Sequence, residues 1–282
     1  MLNELKVDLP RAESGRSALE VASHAAKDGG RIVMDSFNLV KQIEHKGRGN
    51  IVTDVDIRVE KMLMEVLREE YPEHGIITEE SPSIKSTSGY TWILDPLDGT
   101  RNYASGIPVF AMNIALVQGE DVLLGVTYDP ARGELFHALK GQGAYANNEP
   151  IRVSTKATVQ QSVIGLDMGY NDERAKQALR LITHLWPGMQ SVRVIGSAAL
   201  GLAFAAAGRL DLYFHHCLYP WDIAPGILLV REAGGFITDR EGGPVSLESQ
   251  GAIASNEAIH ADFMRLSVDY PWEGRRKHSD EE

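Results

Sequence analysis

Along the chain, apolar and polar positions follow two textures. The segment "SALEVASHAAKDGGRIVMDSF" (17–37) repeats apolar residues at helical spacing and predicts a helix interrupted at Gly29-Gly30. "TDVDIRVEKMLMEVLREEY" (53–71) carries a stronger stripe of Val55, Val59, Met62 and Val66. Its opening Thr53-x-x-Asp56 has the form of a capping box. "GIITEE" and "YTWILD" are short β-branched and aromatic runs that predict strands, and the polar "SPSIKSTSG" between them predicts a mobile loop. From Phe110 to Val153, apolar runs separated by Asp129-Pro130 and Asn147-Asn148 predict antiparallel strands. After about Ser154 the texture becomes strand and helix in alternation. "SVIGLDM", "SVRVI" and "LDLYFHH" read as strands; "DERAKQALRLITHLW", "SAALGLAFAAAG" and "WDIAPGILLVREAGG" read as helices. This divides the chain into an α+β half (1–153), an α/β half (154–270) and a charged tail (271–282) expected to fray.

Composition narrows the function classes. A chain of 282 residues that is 43% hydrophobic has ample material for one large or two ordinary domains. The net charge of −11 argues against nucleic acid as a partner and suits a protein that loads divalent cations. The single cysteine, Cys217, rules out an intrachain disulfide and points to a reducing compartment. The opening "MLNELKVDLPRAESGR" lacks the basic start and apolar core of a signal peptide. No run approaches the roughly 20 apolar residues of a membrane helix. The expectation is a cytoplasmic protein with no membrane association.

The candidate chemistry lies in acidic residues at the edges of predicted elements. "WILDPLDGTRNY" (92–103) runs an apolar strand into Asp95 and Asp98, with Pro96-Leu97 between them. By itself Asp98-Gly99 signals no more than a tight turn. Asp56 alone reads as a helix cap, Glu79-Glu80 as a solvated strand end, and Asp222 in "PWD" as a charge on a helix N-terminus. Taken together they change meaning, because hard divalent cations want several carboxylate and carbonyl oxygens converging from different elements. "HHC" (215–217) offers adjacent, oppositely facing histidines and no second ligand pair, so a zinc site is not expected there.

"ITEES" (77–81), "WILDPLDGTRNY", "GSAAL" (196–200) and "PWDIAPGILLVREAGG" (220–235) occur in an order and spacing that resemble the inositol monophosphatase family. The resemblance spans about residues 17–265. It implies a layered αβαβα sandwich of the inositol monophosphatase and fructose-1,6-bisphosphatase type. It also implies two or three magnesium ions per subunit and a homodimer. Carried over, Glu79, Asp95 and the Leu97 carbonyl hold one ion; Asp95, Asp98 and Asp222 hold a second; a weaker third lies near Glu79. Periodicity does not choose between Glu79 and Glu80, which face opposite sides in a strand; the resemblance selects Glu79. Such ions clamp the oxygens of an in-line displacement and acidify a water. Asp56 and Thr100 match the family's water-orienting residues, with Glu79 beside them. Asp98, Gly99, Thr100, Gly196, Ser197, Ala198 and Asp222 fall at its phosphate and substrate positions, as does Lys46 in "HKGRGNIVTD". The turn at Pro96-Leu97 is expected to end the strand and aim both aspartates into one space.

The implied activity is magnesium-dependent hydrolysis of a small phosphorylated metabolite, inositol 1-phosphate being the first choice. Histidinol phosphate, fructose 1,6-bisphosphate and phosphoadenosine phosphate are alternatives within the same superfamily. One position departs from the family. Seven residues before Asp222, where an acidic side chain contacts inositol hydroxyls, this chain has His215. Phosphoaspartate-forming dehalogenase-type phosphatases use Asp-x-Asp, and Asp-Pro-Leu-Asp is one residue too long for that chemistry. A regulatory, protein-binding role on the same fold is the non-enzymatic alternative; the complete set of ligand positions argues for catalysis.

Overall fold

The computed structural model describes residues 9–47 and 50–268, so the charged tail and the first eight residues of the opening segment lie outside it. Helix α1 (Ala18–Ser36) opens on a reciprocal capping box between Ser17 and Glu20. It runs unbroken through Gly29-Gly30, where the sequence predicts an interruption. A Cβ at Gly29 would lie 2.2 Å from Met112 Cε, and one at Gly30 would lie 2.5 Å from the Tyr128 ring. The glycines therefore let the helix lie directly on the sheet, and that packing outweighs their helix-propensity cost of about 1 kcal/mol each.

A hairpin of β1 (Ile43–Gly47) and β2 (Asn50–Thr53) leads into α2 (Asp54–Glu70), which Thr53 and Asp56 cap reciprocally. A seven-stranded sheet follows: β3 (Gly75–Thr78), β4 (Tyr90–Asp98), then after the short α3 (Thr100–Ala104), β5 (Ala111–Gln118), β6 (Asp121–Asp129), β7 (Glu134–Leu139), β8 (Ala144–Ala146) and β9 (Glu149–Pro150). Its strands lie side by side in chain order, antiparallel except for β3 against β4. Asn147 and Asn148, at φ 48° and 71°, form the left-handed turn between β8 and β9.

The second sheet is built from β10 (Val163–Leu166), β11 (Ser191–Val194), β12 (Leu212–His215), β13 (Phe236–Thr238) and β14 (Ala252–Ser255), in the order β11-β10-β12-β14-β13. Between these strands come α4 (Asp172–Leu185), α5 (Ala198–Ala206) and α6 (Pro220–Glu232), and α7 (Glu257–Ser267) closes the described chain. The β11-β10-β12 part is parallel, and β14 runs antiparallel to both its neighbours.

Three apolar clusters define the layers. Helices α1 and α2 cover the outer face of the first sheet, with Val59, Leu63, Trp92 and Ile114 among the buried contacts. Helices α5 and α6 fill the space between the sheets, joining Ile93 and Phe136 of the first to Tyr213 and Ala254 of the second. Helices α4 and α7 cover the far face through Leu181, Phe214 and Phe263. The result is an αβαβα sandwich. Buried from both sides, α5 is apolar around its whole circumference.

The loop at 81–89 is tied down rather than loose. Ile84 exchanges two backbone hydrogen bonds with Ile76, at 2.9 and 2.8 Å, and the Thr87 and Ser88 N–H groups donate to the Glu73 carbonyl. The free edge of β3 supplies Ile76, the turn before it supplies Glu73, and Ile84 packs on the first core. No helix among the described residues is long and apolar enough to cross a membrane.

Candidate functional site

Two aspartates three residues apart in a regular strand would point to opposite faces of the sheet. In β4 they do not, because Asp95 pairs with Asn113 and Asp98 with Ala111: three steps on one strand against two on its partner. The extra residue is a β-bulge, and it returns Asp98 to the face that Asp95 occupies. The strand thus continues through Asp98, where the sequence predicts a stop at Asp95. Pro96 belongs in such a bulge because it has no N–H to give to the ladder. The Leu97 N–H donates to Asp95 Oδ1 at 3.0 Å, which orients that carboxylate.

The third carboxylate comes from the opposite direction. Asp222 stands in the first turn of α6 and accepts the Tyr219 N–H at 2.7 Å. Asp95, Asp98 and Asp222 each offer an oxygen within 4.8 Å of the others. Burial raises all three carboxyls above their ordinary range: Asp98 to about 6, Asp95 and Asp222 well above it. The neighbouring carboxylates push Asp95 and Asp222 further. So much buried like charge is costly without a compensating cation. The donor set, all hard oxygens from two elements, fits magnesium, calcium or manganese better than zinc.

Glu79 lies outside this triad but within its field. It follows β3 in a bend, where the sequence predicts a continuing strand. The cause is Glu60 on α2, whose Oε2 accepts the Thr78 hydroxyl at 2.6 Å and the Glu80 N–H at 2.9 Å, drawing the backbone off the ladder. Alternation therefore does not separate Glu79 from Glu80, and Lys46 bonds both, Glu79 at 3.2 Å. Burial raises Glu79 to about 7, against the opposing pull of Lys46. Lys46 accordingly stands beside the carboxylates Glu79 and Glu80.

Asp56 and Thr100 meet directly. The Thr100 hydroxyl lies 3.0 Å from Asp56 Oδ1 and 2.9 Å from the Leu97 carbonyl, two acceptors for one proton. Asp56 Oδ2 is held by the Thr53 N–H and hydroxyl, and burial raises its carboxyl to about 6.

The opposite wall is the start of α5. Gly196, at φ 77°, turns the chain into Ser197, whose hydroxyl donates to Asp98 Oδ2; the Ala199 N–H donates to the same oxygen at 2.9 Å. Gly99, at φ 92°, faces it so closely that a Cβ there would lie 3.1 Å from the Gly196 carbonyl. One cleft is lined by Asp98, Gly99, Thr100, Gly196, Ser197, Ala198, His215 and Asp222. Of the expected site residues, Glu79, Lys46, Asp56, Asp95 and Leu97 do not line this cleft, and the Leu97 carbonyl accepts the Thr100 hydroxyl.

Sequence reasoning missed several residues of the cleft. Asp167 sits under the Gly196 turn, accepting the Ile195 N–H at 2.9 Å, the Gly196 N–H, and the Tyr213 hydroxyl at 2.7 Å. Its position just after a parallel strand is where ligand-facing groups collect in α/β sheets, and that signal was available. Tyr170 lies under the Arg101 guanidinium at 4.7 Å, a pairing of residues 69 apart that no local pattern reveals.

Comparison with known proteins agrees with this geometry. The model of the inositol monophosphatase family matches residues 15–271. The inositol-1-monophosphatase of Mesorhizobium japonicum is 37% identical over 255 residues, covering 89% of this chain and 96% of that protein. The Nus factor SuhB of Haemophilus influenzae is 39% identical over 250 residues, covering 87% and 94%. The crystal structure of extragenic suppressor protein suhB from Bartonella henselae superposes with a TM-score of 0.85 at 37% identity, covering 88% of this chain and 97% of that one. With the layered sandwich, the bulged Asp95–Asp98 strand and Asp222 all in place, the chain belongs to the inositol monophosphatase family.

Proposed function

We propose that the protein is a magnesium-dependent phosphomonoesterase acting on a small sugar or polyol phosphate, with inositol 1-phosphate the first substrate to test. The observation that carries this reading is the convergence of Asp95, Asp98 and Asp222 next to the Thr100–Asp56 hydrogen bond. Asp95, Asp98 and Asp222, with Glu79 and the Leu97 carbonyl nearby, would hold the metal. When bound, magnesium supplies charge neutralisation for the phosphoryl oxygens and lowers the pKa of a water.

The chain's own groups do the rest. The Gly99–Thr100 turn presents backbone N–H groups to the phosphate, while the start of α5 gives the Ala198 and Ala199 N–H groups to Asp98 and so fixes the opposite wall. Thr100 accepts a hydrogen bond from the attacking water, and its own proton lies on the line to Asp56 Oδ1. A carboxyl poised near 6 takes a proton readily at neutral pH. Lys46 offsets the charge of Glu79 and Glu80 on the flank.

His215 bears on the alcohol portion of the substrate. Its Nδ1 accepts the Cys217 N–H at 3.0 Å, and burial lowers its pKa to about 3, so the ring is neutral with its proton on Nε2. It therefore offers a donor where a carboxylate would only accept. His215→Glu is expected to raise the kcat/KM for inositol 1-phosphate relative to acceptor-rich sugar phosphates by on the order of 10- to 100-fold. Measuring both substrates on both proteins checks this; a ratio that does not move places specificity elsewhere in the cleft.

The overall reading is tested by phosphate release from a panel of phosphomonoesters with magnesium and with a chelator. Release that persists in the chelator would sink it. A homodimer in the cytoplasm is part of the same proposal. The name of the Haemophilus relative supports a regulatory second reading, and the convergence of Asp95, Asp98 and Asp222 favours hydrolysis over it.

A further inference from the structure

Strand β5 buries seven residues, and the one strongly polar side chain among them is Asn113, which is fully enclosed. In the antiparallel ladder Asn113 stands opposite Asp95 on one side and Thr127 on the other. Opposed residues project to the same face, so a row of three polar side chains crosses the sheet beneath α6. The Thr127 hydroxyl donates to Asn113 Oδ1 at 2.7 Å, which fixes the amide with its nitrogen towards the helix. That nitrogen donates to the Trp221 carbonyl at 3.1 Å and the Asp222 carbonyl at 3.2 Å.

Pro225 explains why a carbonyl inside a helix needs an outside donor. It lies four residues after Trp221 and has no N–H, so the helical bond to the Trp221 carbonyl cannot form, and its ring crowds that oxygen. A buried carbonyl left without a donor is destabilising. The helix also touches the sheet at this point: a Cβ at Gly125 would lie 2.9 Å from Pro225 Cα. The first turn of α6, which carries Asp222, is thus held to β5 and β6 next to Asp95.

We propose that Asn113 and Pro225 act together as positioning residues for Asp222. Pro225 frees the Trp221 carbonyl, and Asn113, locked by Thr127 beside Asp95, takes it, which sets the spacing between the Asp222 and Asp95 carboxylates. Neither residue lines the cleft. The inference rests on the reading that Asp95, Asp98 and Asp222 hold a divalent cation.

The test is calorimetric titration of the metal-free protein with magnesium chloride, with thermal melting alongside. Asn113→Ala is expected to weaken magnesium binding by on the order of 10- to 100-fold, as loss of a partner behind a ligand typically does. Adding Pro225→Ala restores an N–H at position 225 for the Trp221 carbonyl and is expected to bring affinity back to within about threefold of the unmodified protein. A lowered melting temperature with unchanged magnesium affinity in Asn113→Ala would show a merely structural role and overturn the proposal. So would a loss of affinity that Pro225→Ala does not recover. Should Asn113→Ala not fold alone, the double variant decides: near-normal affinity supports the pairing, weakened affinity overturns it. Asp222→Asn separates the two levels of inference. If it binds magnesium normally the cation reading itself fails; if it loses binding while Asn113→Ala keeps it, the positioning proposal alone fails.

Discussion

Asp95→Asn is expected to abolish magnesium-dependent phosphate release, raising the barrier by about 4 kcal/mol and cutting turnover roughly a thousandfold. The substitution is nearly isosteric, and its side-chain oxygen can still accept the Leu97 N–H that now orients Asp95 at 3.0 Å. What disappears is charge. Asp95 is the carboxylate most surrounded by others, with Glu79, Asp98 and Asp222 all pushing its pKa up beyond the effect of burial. The variant therefore carries an internal control of opposite sign. Without magnesium it should melt no lower than the unmodified protein, since one member of a buried repulsive group has become neutral. With magnesium the unmodified protein should gain stability through binding to the native state, and the variant should gain little. Asp222→Asn should behave in the same way. Near-normal turnover in either purified variant, or an equal magnesium-induced rise in melting temperature, would remove these residues from the metal site.

The sequence made the layers legible because burial writes itself into periodicity. Helix α2 shows a one-sided stripe, and α5, enclosed by both sheets, shows small apolar residues all round. It also named the three carboxylates that converge. It could not show how Asp95 and Asp98 come to share a face, since a bulge is a property of pairing and depends on Asn113 and Ala111 of the next strand. The bend at Glu79 was hidden for a related reason: Glu60, 19 residues earlier, takes the Glu80 N–H that the ladder would have used. Gly29-Gly30 read as an interruption because the sheet that makes glycine advantageous there lies about 80 to 100 residues away in sequence, at Met112 and Tyr128. The loop at 81–89 read as mobile because its composition is polar, whereas its order comes from one apolar residue, Ile84, bridging an open strand edge. In each case the missing information was a partner distant in sequence.

Thr100→Ala should lower kcat by on the order of 100- to 1,000-fold and leave KM within a few-fold, because proton transfer acts in the transition state and not in substrate binding. The geometry gives this its form. The Thr100 hydroxyl has one proton and two acceptors, Asp56 Oδ1 and the Leu97 carbonyl. When it donates to Asp56, its lone pairs face outward to accept from a water, so the water's proton and the carboxylate are linked through one oxygen. Removing the hydroxyl cuts that path; removing the carboxylate with Asp56→Asn leaves the hydroxyl with no base to pass its proton to. If the two groups act as one relay, the double variant should be no slower than the slower single variant, since the second substitution disables what is already disabled. Independent roles would instead multiply the two losses. Thr100→Ser, which keeps the hydroxyl in reach of the same acceptors, should recover most of the rate. An unchanged kcat with a raised KM in Thr100→Ala would make Thr100 a phosphate-binding residue, and multiplicative losses in the double variant would dissolve the relay into two separate contacts.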